Sequence, residues 1–244
     1  SVRSISDIAF PLVFAGMIVG LVFKQPDLGT TMVLAFTTAA MLWQTGLPTK
    51  WFTIGIPLMA IPVFYLIRNT PYQWNRIVVW LNPWADASNL GYQITNAEIA
   101  FGSGGIFGVG LGRSSQKYGF LPETYTDMIF AVVGEELGLL GTVLLIGLFV
   151  VFISRAFIIA RDCEDRFGRL FAFGLTATLG IQAAINLAVV TGVFPVTGIT
   201  LPLVSYGGSS LSVTLAEIGF LLNISQYRKT STIEREQVQS GLTV

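Results

Sequence analysis

Six apolar stretches, at about 8–23, 28–46, 51–67, 127–153, 168–191 and 208–226, decide what this chain can become. At 1.5 Å of rise per helical residue, each covers most or all of a hydrocarbon core roughly 30 Å thick. Only 11% of residues are charged and 52% are hydrophobic, whereas an ordinary soluble domain is about a quarter charged. The expected fold class is therefore an all-α polytopic membrane protein with about six transmembrane helices and a long extracellular loop.

The same composition narrows function. A net charge of zero gives no electrostatic footprint for nucleic acid. The single cysteine, Cys163, excludes an intramolecular disulfide, and the absence of histidine removes histidine triads, metal sites and proton shuttles. Ser1–Asp7 is too short and polar to read as a cleavable signal. The chain opens without methionine, almost directly on a span, so upstream sequence is expected.

Lys and Arg near the span ends set the expected orientation. If the spans alternate, Arg3, Lys50, the Arg155/Arg161/Arg166/Arg169 group and Arg228/Lys229/Arg235 share one side, which should be the cytoplasm. The turn at Lys24–Asp27, the segment from about Arg68 to Thr126 and the Gly192–Gly207 connection then face outward. The expected organisation is three transmembrane helices in 1–67, an extracellular loop with an interfacial helix in 68–126, three more spans in 127–228, and a disordered cytoplasmic tail in 229–244. In the loop, Trp74, Trp80 and Trp84 precede Ile94, Ala97, Ile99, Ala100 and Phe101 at near-helical spacing. That pattern fits a helix lying in the membrane interface, and equally a segment folded back over the bundle.

The stretch Lys117–Asp127 delivers a carboxylate to the start of a long apolar helix. Ionisable groups are costly at that depth unless they have a role, which makes Asp127 the leading catalytic candidate. Gly102–Gly112 is rich in glycine but does not follow G-x-G-x-x-G and lacks a preceding buried strand. Close backbone packing, or a hinge leading to Arg113 and Lys117, is the better reading. Ser205-Tyr-Gly-Gly-Ser-Ser210 opens the last span and reads either as a turn or as backbone N–H groups that receive an anion; proximity to Asp127 would favour the second. Asp27 suits a helix N-cap and can also line a site. Glu135, Glu136 and Glu217 lie within spans and read as structural, protonated or bonded to neighbouring helices. Glu135 is about 12 Å along the helix from Asp127, too far to form a retaining carboxylate pair at roughly 5 Å. Arg76, Arg113 and Lys117 are either solvated or clamps for phosphate. Cys163 reads as a bystander that a thiol reagent should reach from the cytoplasm.

Taken together, Gln25-Pro-Asp-Leu-Gly-Thr30, Gly91-Tyr-Gln93, Gly104-Gly-Ile-Phe-Gly-Val-Gly-Leu-Gly112, Gln116-Lys117, Leu121-Pro-Glu123, Thr126-Asp127, Ile129-Phe-Ala-Val132, Glu135-Glu-Leu-Gly138 and Pro195-Val-Thr-Gly-Ile-Thr-Leu-Pro202 with Ser205-Tyr-Gly-Gly-Ser-Ser210 resemble the SEDS family (shape, elongation, division and sporulation). The match runs nearly to Arg228 and leans towards the division and sporulation branch. The resemblance implies the C-terminal part of a ten-helix fold in the bacterial inner membrane, with the active site facing outside. It also implies a peptidoglycan glycosyltransferase that polymerises lipid II with inversion and works with a class B penicillin-binding protein. By motif the family's essential aspartate falls on Asp127, although Tyr125 stands where many members have histidine. Candidate substrate contacts are Arg76, Arg113, Lys117, Glu123, Ser205, Gly207, Gly208 and Ser209. A divalent cation, Mg or Mn, could share the departing pyrophosphate with Arg76, Arg113 or Lys117, though no metal site is evident in the sequence. The competing functions are a lipid II flippase or transporter, motivated by the three glutamates, and a non-catalytic division scaffold.

Overall fold

Caps and breakers divide the apolar runs into helices close to the expected boundaries. The computed structural model describes residues 9–25, 27–116 and 125–227. Among them the order is α1 (Ala9–Lys24), α2 (Leu28–Gln44), α3 (Lys50–Asn69), α4 (Pro71–Leu81), a 3-10 turn at Pro83–Asp86, α5 (Tyr92–Gly104), α6 (Ile129–Asp162), α7 (Arg166–Val190) and α8 (Gly208–Ser225). Asp27 starts α2 by accepting the Thr30 N–H at 2.9 Å, and Asp165 starts α7 by accepting Gly168 N–H at 2.5 Å. Pro71 opens α4 at a position where a missing N–H costs nothing. Helices α6 and α7 are each long and apolar enough to cross a membrane by themselves. The spans carry much apolar surface outward, as at Leu139, Leu140, Val143 and Leu144, which suits a chain dissolved in lipid. The polar tail after Arg228 lies outside the described residues.

Helix α6 begins two residues later than the expected start at Asp127 and is broken at Gly138, whose φ of 67° and ψ of −164° are open essentially to glycine alone. An unbroken helix would pair Leu139 N–H with Glu135 C=O and Leu140 N–H with Glu136 C=O. At the break, the glycine-rich loop takes over both ends of both bonds. Val109 and Gly110 donate to the Glu135 and Glu136 carbonyls, each at 3.0 Å, while Leu139 and Leu140 donate to Gly105 and Ile106 at 2.9 and 3.2 Å. Two helical bonds are thus exchanged for four bonds to the loop, and both donors and both acceptors of the lost pair are met. Close approach demands glycine. A Cβ on Gly108 would lie 2.2 Å from the Glu136 carbonyl oxygen, and one on Gly104 would lie 2.0 Å from that of Gly134. The loop is therefore a backbone-packing device, as its motif suggested.

The described part of the expected 68–126 loop, residues 68–116, folds back over the bundle. Rather than one interfacial helix it contains α4, the 3-10 turn and α5. Ile94, Ala97 and Ala100 of α5 are buried, at 3%, 1% and 0% exposure, and the two alanines pack in one core with the head of α6. Trp80 donates to Gly192 C=O at 2.8 Å and Trp84 to Glu98 at 2.8 Å. Two apolar cores result. One joins Ala97 and Ala100 of α5, Met128 and Phe130 at the head of α6, and Ile185 and Val189 of α7, beneath the Asp127 end. The other gathers Ala156, Cys163, Ala172, Leu179 and Leu221 towards the opposite end.

At that opposite end, Arg169 donates twice to Cys163 C=O, at 3.1 and 2.9 Å, and Glu164 N–H donates to Tyr227 C=O at 3.3 Å. Cys163 is 1% exposed. It is a core residue, so the expected reactivity towards thiol reagents does not hold, because its sulfur is enclosed by the clasp between the α6–α7 turn and the end of α8.

The break generates a paired prediction. Gly138→Ala should cost about 2–4 kcal/mol, because a Cβ there meets Gly108 N at 2.4 Å and Ile106 O at 2.5 Å in a backbone conformation that alanine resists. Gly147→Ala lies in the same helix with nothing within 4 Å, and should stabilise by about 0.5–1 kcal/mol through helix propensity. Thermal unfolding of detergent-solubilised protein, followed by circular dichroism, separates the two signs.

Candidate functional site

Three segments distant in sequence meet at one end of the bundle: the α1–α2 turn, helix α4 and the α7–α8 connection. Between them lies a cavity of about 520 Å³ lined by Gln25, Asp27, Tyr72, Arg76, Thr197 and Gly198. The Arg76 guanidinium rests 4.6 Å from the Tyr72 ring centroid, donates to the Tyr72 hydroxyl at 2.6 Å and donates to Val196 C=O at 3.1 Å. These contacts use two of the five donors of a guanidinium and fix its plane. Asp27 both caps α2 and lines this cavity.

Asp127 heads α6 at the same end, but it is not at an open mouth. It is 6% exposed, because α5 and α7 flank it. Gln93 of α5 donates to Oδ2 at 3.2 Å and Thr126 donates to Oδ1 at 3.2 Å, which sets the carboxylate plane. The main chain is held separately. Asn186 of α7, 1% exposed, donates at 2.7 Å both to Asp127 C=O and to Ile199 C=O. One buried amide therefore joins the Asp127 turn to the α7–α8 connection.

That connection is irregular backbone in a membrane protein, tolerable only where its polar groups are met internally. Val196 C=O is taken by Arg76, Ile199 C=O by Asn186 and Thr200 C=O by Gln182 at 3.0 Å. Ser205 bends it back, with its hydroxyl accepting Leu201 N–H at 2.7 Å and its own N–H donating to Leu201 C=O at 3.0 Å. Within this turn Leu203 takes a left-handed φ of 65°, a strained conformation for a leucine. Tyr206 N–H then donates to Tyr125 C=O at 2.7 Å, two residues before Asp127. The Ser205–Ser210 turn, with Gly207, Gly208 and Ser209 opening α8, is thereby tied to the Asp127 segment, the circumstance that favours an anion-receiving role.

Other candidates separate from this cluster. Arg113 is exposed at the end of the glycine-rich loop. Lys117 and Glu123 lie outside the described residues. Glu135 is 1% exposed and bonds to a loop rather than to neighbouring helices. Its carboxylate accepts from the Ser114 hydroxyl, from Ser115 N–H at 2.9 Å, from the Ser115 hydroxyl at 2.7 Å and from Gln116 N–H at 3.3 Å. Glu136 accepts Ser114 N–H at 3.4 Å. Two of the three span glutamates are thus engaged in holding residues 114–116. Among the described residues no three acidic, cysteine or histidine side chains converge as a metal cage. Gln93, Gln182 and Asn186 were missed as site residues. Their only sequence signal is that large amides sit in otherwise apolar helices.

Removing the amide bridge should be legible. Asn186→Leu keeps the volume but leaves two buried carbonyls unmet, at about 1–3 kcal/mol each. Hydrogen exchange should rise in the peptides covering 125–131 and 197–205 and remain unchanged in those covering 156–172.

Comparison with known proteins places this architecture. The family model for FtsW, RodA and SpoVE, described as Cell cycle protein, matches residues 2–230. The chain is 42% identical over 219 residues to the probable peptidoglycan glycosyltransferase FtsW of Geobacter metallireducens, covering 89% of this chain and 58% of that protein. It is 43% identical over 222 residues to stage V sporulation protein E of Bacillus subtilis, covering 91% and 60%. Among solved structures, it is similar to a chain from a peptidoglycan synthase complex that coordinates polymerization and crosslinking, with a TM-score of 0.73, 34% identity and coverage of 92% and 63%. It is also similar to the rod shape determining protein RodA of Thermus thermophilus, with a TM-score of 0.62, 31% identity and coverage of 95% and 60%. The chain therefore spans somewhat over half the length of these relatives.

Proposed function

Because the chain belongs to the FtsW, RodA and SpoVE family of cell cycle proteins, we propose that it polymerises peptidoglycan glycan strands from lipid II at the outer face of the bacterial inner membrane. The observation that carries the reading is a buried carboxylate, Asp127, oriented by Gln93 and Thr126 at the end of the bundle where Arg76 lines a polar cavity. One oriented base is what an inverting transfer needs. The acceptor hydroxyl gives its proton to Asp127 as its oxygen bonds the anomeric carbon of the donor. The bond from that carbon to the pyrophosphate oxygen breaks, and the electron pair leaves with undecaprenyl pyrophosphate.

Arg76 is assigned the departing charge, since its anchored guanidinium is pre-organised for phosphate oxygens. The turn at Ser205–Ser209 supplies backbone donors nearby. Arg113, Lys117 and Glu123 remain candidates for the outer rim of the site. A divalent cation, Mg or Mn, would share the pyrophosphate charge with the arginine and the backbone donors. The proposed partner is a class B penicillin-binding protein, supported by the likeness to a chain of a peptidoglycan synthase complex. Glu135 and Glu136, two of the three glutamates that motivated a transport reading, are engaged with residues 114–116.

Two outcomes test the proposal. Asp127→Asn should fold normally and abolish glycan synthesis from lipid II by the full-length protein with its transpeptidase partner, read as strand length on a gel; product at wild-type level would refute the assignment. For orientation, cysteines placed by Tyr125→Cys and Arg166→Cys in a Cys163→Ser background occupy exposed positions at opposite ends. An impermeant maleimide applied to spheroplasts should label the first, and should label the second only after lysis.

A further inference from the structure

We propose that the glycine-rich loop 105–112 lies within the bilayer, in the leaflet on the Asp127 side, with Ile106, Phe107 and Leu111 among the acyl chains. It is then a lipid-contacting element set inside a segment whose sequence reads as an extracellular loop. From Gly105 to Gly112 the chain runs Gly-Ile-Phe-Gly-Val-Gly-Leu-Gly, without one side chain that can carry charge or form a hydrogen bond. Phe107 is 81% exposed, Leu111 76% and Ile106 58%. Large apolar side chains grouped on a surface in this way mark a contact with lipid or with protein. Their exposure is built into the backbone. Val109 and Gly110 donate to α6 carbonyls, Gly105 and Ile106 accept from α6 N–H groups, and Gly108 N–H donates to Gly104 C=O at 2.8 Å.

Continuity and depth both select lipid. Leu139 and Leu140, whose N–H groups hold the loop, are themselves 57% and 58% exposed and begin the outward apolar face that continues through Val143 and Leu144. The loop widens that face by direct main-chain contact. Depth follows from charge. Between Glu136 and Arg155 helix α6 has no ionisable side chain, and the run from Leu137 to Ser154 covers about 27 Å, close to the roughly 30 Å of a hydrocarbon core. Leu137–Leu140 therefore mark the edge of the core on the Asp127 side, and the loop is bonded at that edge. Irregular backbone at such a depth is tolerated only where protein meets its polar groups. The exchange of hydrogen bonds at the Gly138 break does so at residues 105, 106, 109 and 110. None of this depends on the reaction assigned to Asp127.

Nitroxide accessibility provides the test. In the full-length protein without other cysteines, Phe107→Cys and Leu111→Cys each carry a spin label in liposomes of phosphatidylethanolamine and phosphatidylglycerol. Leu144→Cys on the apolar face of α6 is the lipid reference, and Tyr125→Cys, at an exposed position before α6, is the aqueous one. Power saturation compares collisions with oxygen, which concentrates among acyl chains, and with a nickel chelate, which stays in water. Both loop labels should meet oxygen more than nickel, as with Leu144→Cys but by a smaller margin because they lie nearer the edge of the core. Tyr125→Cys should show the reverse. Two loop positions keep the outcome readable if one variant folds poorly. The proposal is overturned if the loop labels favour nickel, which puts the loop in water. It is equally overturned if neither reagent reaches them, since another part of the full-length protein then covers the loop.

Discussion

The break in α6 at Gly138 is the constraint on which the Asp127 end depends. A helix of 34 residues would ordinarily be a featureless rod. Opening it exposes two carbonyls and two N–H groups, and in lipid such groups must be met by protein. The glycine-rich loop meets all four, so α5 and the loop after it are fixed to α6 by backbone alone, in a geometry that no side chain can loosen by changing rotamer. Glu135, one turn before the break, then ties residues 114–116 to the same stretch. The first turns of α6 thus work as a platform with Asp127 at its rim.

The α7–α8 connection is the second organiser. It joins elements that otherwise would not communicate: Arg76 from α4, Asn186 and Gln182 from α7, and Tyr125 from the segment before α6 all bond to its main chain or to the turn that follows. Most of these bonds are made to carbonyls and N–H groups, with Gln182 also donating to the Thr200 hydroxyl at 3.3 Å. The identities of the connection's own residues matter mainly for shape, with Gly198 at a φ of 76° and Leu203 at 65° setting its bends.

How far the sequence foretold this varies with the physics of each feature. The helices were readable because hydrocarbon imposes length and composition directly: α1, α2, α3, α6, α7 and α8 fall where the apolar runs lie, and among the described residues α6 and α7 are long and apolar enough to cross a membrane by themselves. Asp127 stood out in the sequence because a carboxylate beside an apolar helix is costly, and the structure shows it buried and hydrogen-bonded by Gln93 and Thr126. The packing role of the glycines was readable as a class, but their partner was not: nothing in Gly104–Gly112 or Glu135–Gly138 alone says that two helical hydrogen bonds will be exchanged between them. The fold-back of α5 was undecided, because Ile94, Ala97 and Ala100 are as apolar as an interfacial face and only contact with α6 distinguishes the two. Asn186 and Gln93 went unremarked since a single amide in an apolar helix looks neutral until its two acceptors are known. Cys163 was misjudged because its charged neighbours suggested exposure, whereas the chain turns so that those neighbours face out and the sulfur faces in.

The residues following Asp127 have a consequence for genetics. Met128 and Phe130 are 0% and 1% exposed in the same core that supports the carboxylate. Under the proposed function, chemistry and packing therefore occupy adjacent codons. In a screen for loss of function, inactive alleles will accumulate across this short run without distinguishing a missing proton acceptor from a collapsed floor. Only alleles that retain normal protein abundance report on the reaction, and at this end of the molecule abundance is as informative a phenotype as activity.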